Sequence, residues 1–469
     1  MKLSYPNRSK CAKLSLIQTD LEFTSLVNRL KKLKPTSFQI IVFGFAAVIL
    51  AGALLLMLPI STKTGTVTPF YDALFTATSA VCVTGLVVRS TALYWSYFGQ
   101  AVILTLIQIG GMGVVTMAAF IFLVSGRRIS LKTRSTMQDA MSLPTIGGIV
   151  RLTGFILKAT MIIEITGALI MMPVFVSRCG ARGIWMAFFH AISAFCNAGF
   201  DLTATPDTPY ASLTSYAASP VVNIVIMSLI VVGGIGFLTW SDLHDNHLHF
   251  RRYRMQTKVI LTVTAILIIV PTICFFLAEY SDYPLGERIL ASLFQAITPR
   301  TAGFNTTDLT KMSDAGQTVM TALMLIGGSP GSTAGGMKTT TIAVLFVTTF
   351  AVFRRKEDAN LFRRRLDSSA IRTAATIFLM YIFLMTLGAV IISIHEQLPI
   401  TRCIFEASSA VGTVGLTLGI TPSLGLCSKL ILIFLMFFGR VGGLTLIYAT
   451  QTRAQSAGGR YPKENLMIG

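Results

Sequence analysis

Charge is what this sequence has least of. Only 13% of its 469 residues are charged, with 20 acidic residues, 5 histidines and 3 tryptophans. A soluble domain of this length needs a more polar surface, so that class is excluded. The seven cysteines, Cys11, Cys82, Cys179, Cys196, Cys274, Cys403 and Cys427, form no CxxC pair and no metal-ligand spacing. They read as free thiols rather than a disulfide framework. No nucleotide-binding glycine motif follows a predicted strand, which argues against an ATP site. No carboxylate pair, Ser/His pair or metal cluster falls at membrane depth, which argues against an enzyme. His244, His247 and His249 lie near Asp242 and Asp245, but the group reads as a solvated turn. A cleavable signal is not expected, because the first apolar run starts near Phe38, too late and too long.

What remains is apolar. Hydrophobic residues make up 53% of the chain and its mean hydropathy is +0.69, as in a polytopic membrane protein. Runs long enough to span a bilayer are predicted at about 38–58, 97–124, 152–176, 220–240, 259–278, 373–394 and 427–449. The run 317–353 is too long for one straight span, and 327–336, GGSPGSTAGG, interrupts it. Pro330 and the glycines predict a break there in mid-membrane.

Between the spans one pattern occurs four times. Phe75-Thr-Ala-Thr-Ser79 leads to Val83-Thr84-Gly85-Leu86, and Phe189-His-Ala-Ile-Ser193 leads to Asn197-Ala198-Gly199-Phe200. Phe294-Gln-Ala-Ile-Thr298 leads to Thr301-Ala302-Gly303-Phe304, and Phe405-Glu-Ala-Ser-Ser409 leads to Thr413-Val414-Gly415-Leu416. The glycines recur at roughly 105 to 115 residues, too long a period for a solenoid. The predicted division is 1–36 as an N-terminal segment, repeats at 37–135, 150–250, 257–357 and 371–453, and a tail at 454–469.

The formal net charge of +19 is concentrated at the termini and between repeats. Arg127, Arg128, Lys132 and Arg134 follow the first repeat, Arg251, Arg252, Arg254 and Lys258 the second, and Arg354, Arg355, Lys356 and Arg363 to Arg365 the third. The positive-inside rule makes these links and both termini cytoplasmic. Each repeat then goes out and returns on two spans. Its Phe-x-Ala-x-Ser/Thr helix, at roughly a dozen residues, is too short to cross and must dip in from outside. All four repeats share one orientation, which permits a pseudo-four-fold axis along the membrane normal. Inverted repeats would not.

That geometry predicts a cation site. Four re-entrant helices aim their partly negative C-termini at one axis. The extended turns that follow present carbonyl oxygens to an ion. Gly85, Gly199, Gly303 and Gly415 keep the backbone free and the opening wide. Thr84, Thr301 and Thr413 are candidate hydroxyl or carbonyl ligands, with Asn197 in that place in the second copy.

At these residues the chain resembles the Ktr/Trk/HKT superfamily of potassium-translocating subunits, most closely its bacterial KtrB branch. The resemblance is carried by FHAISAFCNAGF (189–200), FQAITPRTAGFN (294–305), FEASSAVGTVGLTLGITP (405–422), IQIGGMG (107–113), LIGGSPGSTAGGMKTTT (325–341) and FFGRVGG (437–443). It runs from about Pro35 to the C-terminus. It implies an all-α polytopic membrane fold of four membrane-pore-membrane repeats, with eight transmembrane helices and four re-entrant pore helices around one pathway. Glycine at all four filter positions is the pattern associated with potassium preference. Relatives often carry threonine where this chain has Cys82. The extra N-terminal pair of spans found in the Trk branch is not expected.

The resemblance further implies a gate. Gly327, Gly328, Gly331, Gly335 and Gly336 belong to an intramembrane loop under the filter, with Lys338 just beyond it. Arg440, in an otherwise apolar span, projects toward the pore below the filter. A charge at that depth is functional by default, with a buried salt bridge to Glu164 or Glu406 as the alternative. The implied activity is K⁺ uptake across the bacterial plasma membrane without a cofactor in this chain. The implied assembly is a homodimer docked on a KtrA-like cytosolic ring of nucleotide-binding subunits. Tyr461–Gly469 is a candidate dimer contact. Na⁺ activation, and coupled transport with Na⁺ or H⁺, stay open at this point.

Overall fold

The computed structural model describes residues 36–124, 131–141, 148–247, 249–450 and residue 464. The tail proposed as a dimer contact therefore lies outside the described residues, Glu464 apart. Four helices are long and apolar enough to cross a bilayer in one piece: α1 (Ser37–Met57), α6 (Ile149–Cys179), α10 (Met255–Ala278) and α14 (Ser368–Glu396). Helix α1 starts on a capping box, in which Thr36 and Gln39 satisfy each other's backbone N–H groups. These helices turn large apolar side chains outward, Phe43, Leu54, Ile162, Leu277 and Phe383 among them, each more than 60% exposed. A contiguous apolar belt of this kind faces lipid.

After each spanning helix comes a short one: α2 (Phe70–Val81), α7 (Arg182–Phe195), α11 (Leu285–Ile297) and α15 (Ile400–Val411). Their 12 to 14 residues rise about 20 Å, short of the hydrocarbon thickness. Pro69, Pro284 and Pro399 precede three of them with φ near −54°, a ring constraint that sets the chain on its inward course. The motif residues explain themselves here. Phe75, Phe189, Phe294 and Phe405 are fully buried anchors, and Ala77, Ala191, Ala296 and Ala407 are buried where nothing larger fits.

The returning spans of repeats 1, 2 and 4 differ from the sequence expectation, because each is in two pieces, as only that of repeat 3 was expected to be. Repeat 1 returns through α3 (Tyr97–Met112) and α4 (Val114–Val124), then the link helix α5 (Leu131–Met141). Repeat 2 returns through α8 (Pro220–Gly234) and α9 (Phe237–Asn246), bent by 95°. Repeat 3 returns through α12 (Asp314–Leu325) and α13 (Thr339–Phe353), separated by the glycine-rich loop. Repeat 4 returns through α16 (Leu426–Val441) and α17 (Gly443–Thr450), bent by 91°. The breaks sit on Gly113, Gly236 and Gly442, with φ/ψ of 86/134°, 93/141° and 87/130°. Only glycine adopts that region readily, so a continuous helix ends there. Gly110, one turn earlier, is a packing glycine: a methyl group on it would lie 2.0 Å from Val81 O of α2.

The basic links from Arg251 and from Arg354 follow the second halves of the broken spans in repeats 2 and 3. A two-stranded hairpin, β1 (Asn360–Leu361) and β2 (Arg364–Arg365), sits among them. In the second link Asp242 is spent on structure: it accepts from Arg254 N (2.9 Å) and Asn246 Nδ2 (2.9 Å).

Candidate functional site

The Ser/Thr that ends each motif clamps the turn that follows. Ser79 O accepts from Thr84 N (2.8 Å) and Ser79 Oγ from Gly85 N (3.0 Å). Ser409 repeats both bonds, to Val414 N (2.8 Å) and Gly415 N (3.0 Å). In repeat 2 Ser193 O accepts from Ala198 N (2.7 Å) while its hydroxyl donates to Phe200 O (2.8 Å). In repeat 3 the gap to the glycine is one residue shorter. Helix α11 stops before Thr298 rather than two residues after the clamp, and Thr298 O takes both Ala302 N (3.0 Å) and Gly303 N (3.4 Å). Thr298 Oγ1 donates to Phe304 O (2.6 Å).

The clamped turns alternate in hand. Val83, Asn197, Thr301 and Thr413 have φ of 57°, 60°, 62° and 52°. Two residues on, Gly85, Gly199, Gly303 and Gly415 have φ of 93°, 69°, 79° and 93°. In a regular strand successive carbonyls point to opposite sides; reversing φ at every second residue turns them to one side. Non-glycine residues hold this conformation only where their surroundings impose it. Thr84 therefore does not match Thr301 and Thr413, because Val83 occupies their place and Thr84 stands level with Ala198, Ala302 and Val414.

The four turns close into a ring of one hand. A methyl group on Gly85 would lie 2.5 Å from Ala198 O, one on Gly199 2.7 Å from Ala302 O, one on Gly303 2.3 Å from Val414 O, and one on Gly415 2.0 Å from Thr84 O. Each glycine thus faces the carbonyl before the next repeat's glycine, in the order 1, 2, 3, 4 and back to 1. The hydroxyl oxygens of Thr84 and Thr413 are buried with no hydrogen-bond partner among the described residues. Unmade bonds at buried oxygens cost free energy unless something else binds there, so both are available to a cation. Asn197 is not. Its Nδ2 donates to Arg300 O (3.2 Å) and Thr301 Oγ1 (3.3 Å), which ties turn 2 to turn 3.

Below the ring lies the glycine-rich loop, held by backbone groups of the other returning spans. Ser329 N donates to Gly234 O (2.9 Å), Phe237 N to Gly331 O (2.8 Å) and Gly336 N to Gly439 O (3.2 Å). Within the loop Gly327 N donates to Met337 O (2.7 Å) and Thr339 N to Gly328 O (3.1 Å). Gly335 lies directly under turn 4, since a methyl group there would be 2.2 Å from Thr413 Oγ1. Thr333, absent from the sequence reading, ties the loop to repeat 2: its hydroxyl donates to Phe195 O (3.1 Å) and approaches Asn197 Oδ1 (3.5 Å).

Arg440 stands where the matching blocks of repeats 1 and 2 have Gly111 and Gly234. Its guanidinium donates to Thr333 O on the loop and to Gly110 O and Gly111 O (3.0 Å) at the break in repeat 1. Its partners are carbonyls, so the salt bridge to Glu164 or Glu406 is not what holds it. Glu406 instead accepts from Thr417 Oγ1 (3.0 Å) and Thr421 Oγ1, and Glu164 from Gln108 Nε2 (3.4 Å). Lys338 Nζ donates to Ala334 O (2.7 Å) and Gly335 O (3.4 Å) of its own loop. Both cations line a cavity of about 240 Å³ beneath the loop, with Gly111, Met112, Ala334 and Gly336. A further cation, Arg300, is buried behind turn 3 against Thr264 Oγ1 (3.1 Å). It was missed although it immediately precedes Thr301.

Four re-entrant helices, a collar of backbone oxygens and a cationic cavity beneath it define a helical membrane protein with one central ion pathway. The sequence matches the TrkH family, described as cation transport protein, over residues 8–457. The chain belongs to that family, which is one of transport proteins and not of enzymes. It is 40% identical over 451 residues to the potassium/sodium uptake protein NtpJ of Enterococcus hirae, covering 94% of this chain and 98% of that protein. It is also 40% identical over 447 residues to the Ktr system potassium uptake protein B of Bacillus subtilis, with coverage of 94% and 98%. Its fold is similar to the crystal structure of the potassium transporter TrkH from Vibrio parahaemolyticus, with a TM-score of 0.69 at 19% identity over 90% of this chain and 86% of that one. The architecture is accordingly one of membrane-pore-membrane repeats around a central pathway, in a multi-pass protein of the bacterial plasma membrane.

Proposed function

We propose that this chain is a potassium-translocating subunit, passing K⁺ into the cell through the ring of Gly85, Gly199, Gly303 and Gly415. The observation that carries this reading is the closed ring itself. Four carbonyls at one level, from Thr84, Ala198, Ala302 and Val414, replace part of an ion's hydration shell. Thr84 and Thr413 add hydroxyl oxygens, while Asn197 acts as a strut between turns. The names of the two 40% identical relatives, both uptake proteins for potassium, favour K⁺ as the cargo. The repeat boundaries near 37–135, 150–250, 257–357 and 371–453 belong to this reading, as do cytoplasmic termini.

In the same reading the loop 327–336 is the gate and Arg440 its latch. The loop crosses directly under turn 4, and the guanidinium joins it to repeat 1 from repeat 4. A cation fixed there also repels a passing ion. Opening breaks the Arg440–Thr333, Thr333–Phe195, Ser329–Gly234, Phe237–Gly331 and Gly336–Gly439 bonds. A typical net value of roughly 0.5–1.5 kcal/mol each makes several kcal/mol in all. A cytosolic ring of nucleotide-binding subunits, docked on the basic links of a homodimer, supplies that difference by binding the open state better. Na⁺ enters as an activator or coupled ion; the potassium/sodium name of one relative is what favours this second reading.

The test is K⁺ uptake in cells lacking their own K⁺ transporters, with and without a co-expressed ring, at fixed and varied external Na⁺. K⁺-selective uptake that the ring increases supports the reading. Protein present in the membrane without uptake refutes it. A reversal potential that follows Na⁺ or H⁺ makes the protein a coupled transporter rather than a channel-like pore.

A further inference from the structure

Two residues beyond the ring glycines stand Val87, Asp201, Asn305 and Thr417, one from each repeat. All four border a single small cavity, about 60 Å³, together with Gly85, Gly199, Gly303 and Gly415. They make a second ring on the outer side of the first, but the four are not equivalent. Val87 has no side-chain oxygen. The Thr417 hydroxyl is committed: it donates to Glu406 Oε1 (3.0 Å) and accepts from Gly419 N (2.9 Å). Asp201 and Asn305 remain, and they come from neighbouring repeats.

Both are held in place with an oxygen left over. Asp201 Oδ1 accepts from Thr203 N (3.2 Å) and Thr203 Oγ1 (3.1 Å), which fixes the carboxylate, while Oδ2 takes no hydrogen bond among the described residues. Asn305 is pinned through its backbone, N to Ser212 Oγ (3.1 Å) and O from Leu213 N (2.8 Å). Its Oδ1 is buried and has no donor among the described residues. A buried amide oxygen without a donor costs free energy unless a ligand satisfies it. The unpaired amide oxygen belongs to a residue that borders the same cavity as Asp201, and on the filter reading that cavity is the entrance of the cation pathway.

We propose that Asp201 and Asn305 form an outer binding site for a partly dehydrated monovalent cation, off the axis toward repeats 2 and 3, which loads before the ion enters the glycine ring. The site rests on the filter reading above for its place in the pathway. One carboxylate and one amide oxygen balance a single positive charge; a Ca²⁺ ion takes six to eight oxygen ligands. The low-dielectric walls of the mouth focus the Asp201 charge and raise the local cation concentration. The ligand chemistry is shared by K⁺ and Na⁺.

The test uses the full-length protein in cells lacking other K⁺ transporters, where only the outer face meets added ion. Asp201→Asn and Asn305→Ala are compared with wild type over a range of external K⁺, then of external Na⁺ at fixed K⁺. The expected result is a half-saturation for K⁺ raised about tenfold in Asp201→Asn and several-fold in Asn305→Ala, with maximal rate retained. Asp201→Glu restores part of the affinity. A shift confined to the Na⁺ series, with K⁺ half-saturation unchanged, also supports the site and makes Na⁺ its occupant. An unchanged half-saturation and Na⁺ response in both variants overturns the proposal, as does a fall in maximal rate alone. Failure of the filter reading is distinguishable, because wild type itself would then show no K⁺-selective uptake. Should Asp201→Asn not reach the membrane, Asn305→Ala and K⁺-dependent thermal protection of the purified protein decide the matter. Protection by K⁺ at equal concentrations in wild type and Asn305→Ala overturns the site.

Discussion

Arg440→Ala tests the proposed latch apart from the rest of the proposed gate. The guanidinium donates to Thr333 O on the loop and to Gly110 O and Gly111 O in repeat 1. Only the bond to the loop has to break on opening, since the other two join elements that need not move apart. A hydrogen bond from a charged donor contributes roughly 1.5–3 kcal/mol. Each 1.4 kcal/mol is a factor of ten in an equilibrium constant. Losing the bond therefore shifts the closed-to-open ratio about tenfold to a hundredfold toward open. Unidirectional K⁺ flux into liposomes, carried by the purified chain without cytosolic subunits, should rise by that factor if opening limits it. Arg440→Lys distinguishes two causes. It keeps the charge but cannot bridge three carbonyls on two sides. If ion repulsion dominates, the lysine protein behaves as wild type; if the latch dominates, it behaves as alanine. A monodisperse, fully helical Arg440→Ala protein whose flux is unchanged or lower refutes the latch.

Thr333→Val keeps the shape but removes the bond to Phe195 O; ring-independent flux should rise several-fold, and the same assay checks it. Ser79→Ala or Ser409→Ala strips the clamp from a ring glycine N–H, so K⁺ over Na⁺ selectivity, read from reversal potentials, should fall with little loss of expression. Gly303→Ala places a methyl group 2.3 Å from Val414 O at a φ of 79°. It should abolish selective flux or folding, which flux and size-exclusion profiles separate. Shortening 327–336 should make uptake less dependent on the ring subunits in cells; unchanged dependence would remove the loop's gate role.

The architecture was legible because its determinants are local or statistical. Phe-x-Ala-x-Ser/Thr marks each short helix, since the Phe and Ala bury and the hydroxyl clamps. Clustered arginines and lysines set orientation, and Pro330 with its glycines announces one break. The other breaks were not legible. Gly113, Gly236 and Gly442 look like packing glycines until their φ/ψ is known, and nothing in an apolar run distinguishes a bend from close approach. Within the candidate site Thr84 was grouped with Thr301 and Thr413 by residue type, although it stands one residue before its glycine and they stand two before theirs. Thr333 and the Asn197 amide were invisible for a different reason. Their partners lie more than 100 residues away in sequence, at Phe195 and Thr301, and only the closed ring brings them together. Arg440 was visible as a charge, yet its carbonyl partners belong to two other repeats.

The placement of Arg440 also bears on why the four repeats are fused in one chain. An assembly of four identical subunits repeats every side chain four times at its axis. It would carry four guanidiniums beneath the oxygen collar or none, and four would exclude one another sterically and electrostatically. Fusion removes that obligation. One quadrant carries arginine while the matching blocks of repeats 1 and 2 keep glycine, so a single cation fits in the space their missing side chains leave. The one-residue deletion in repeat 3 and the lone carboxylate of Asp201 are freedoms of the same kind. A nearly four-fold frame with four independently written corners lets a pore hold one latch on one side and still close its ring.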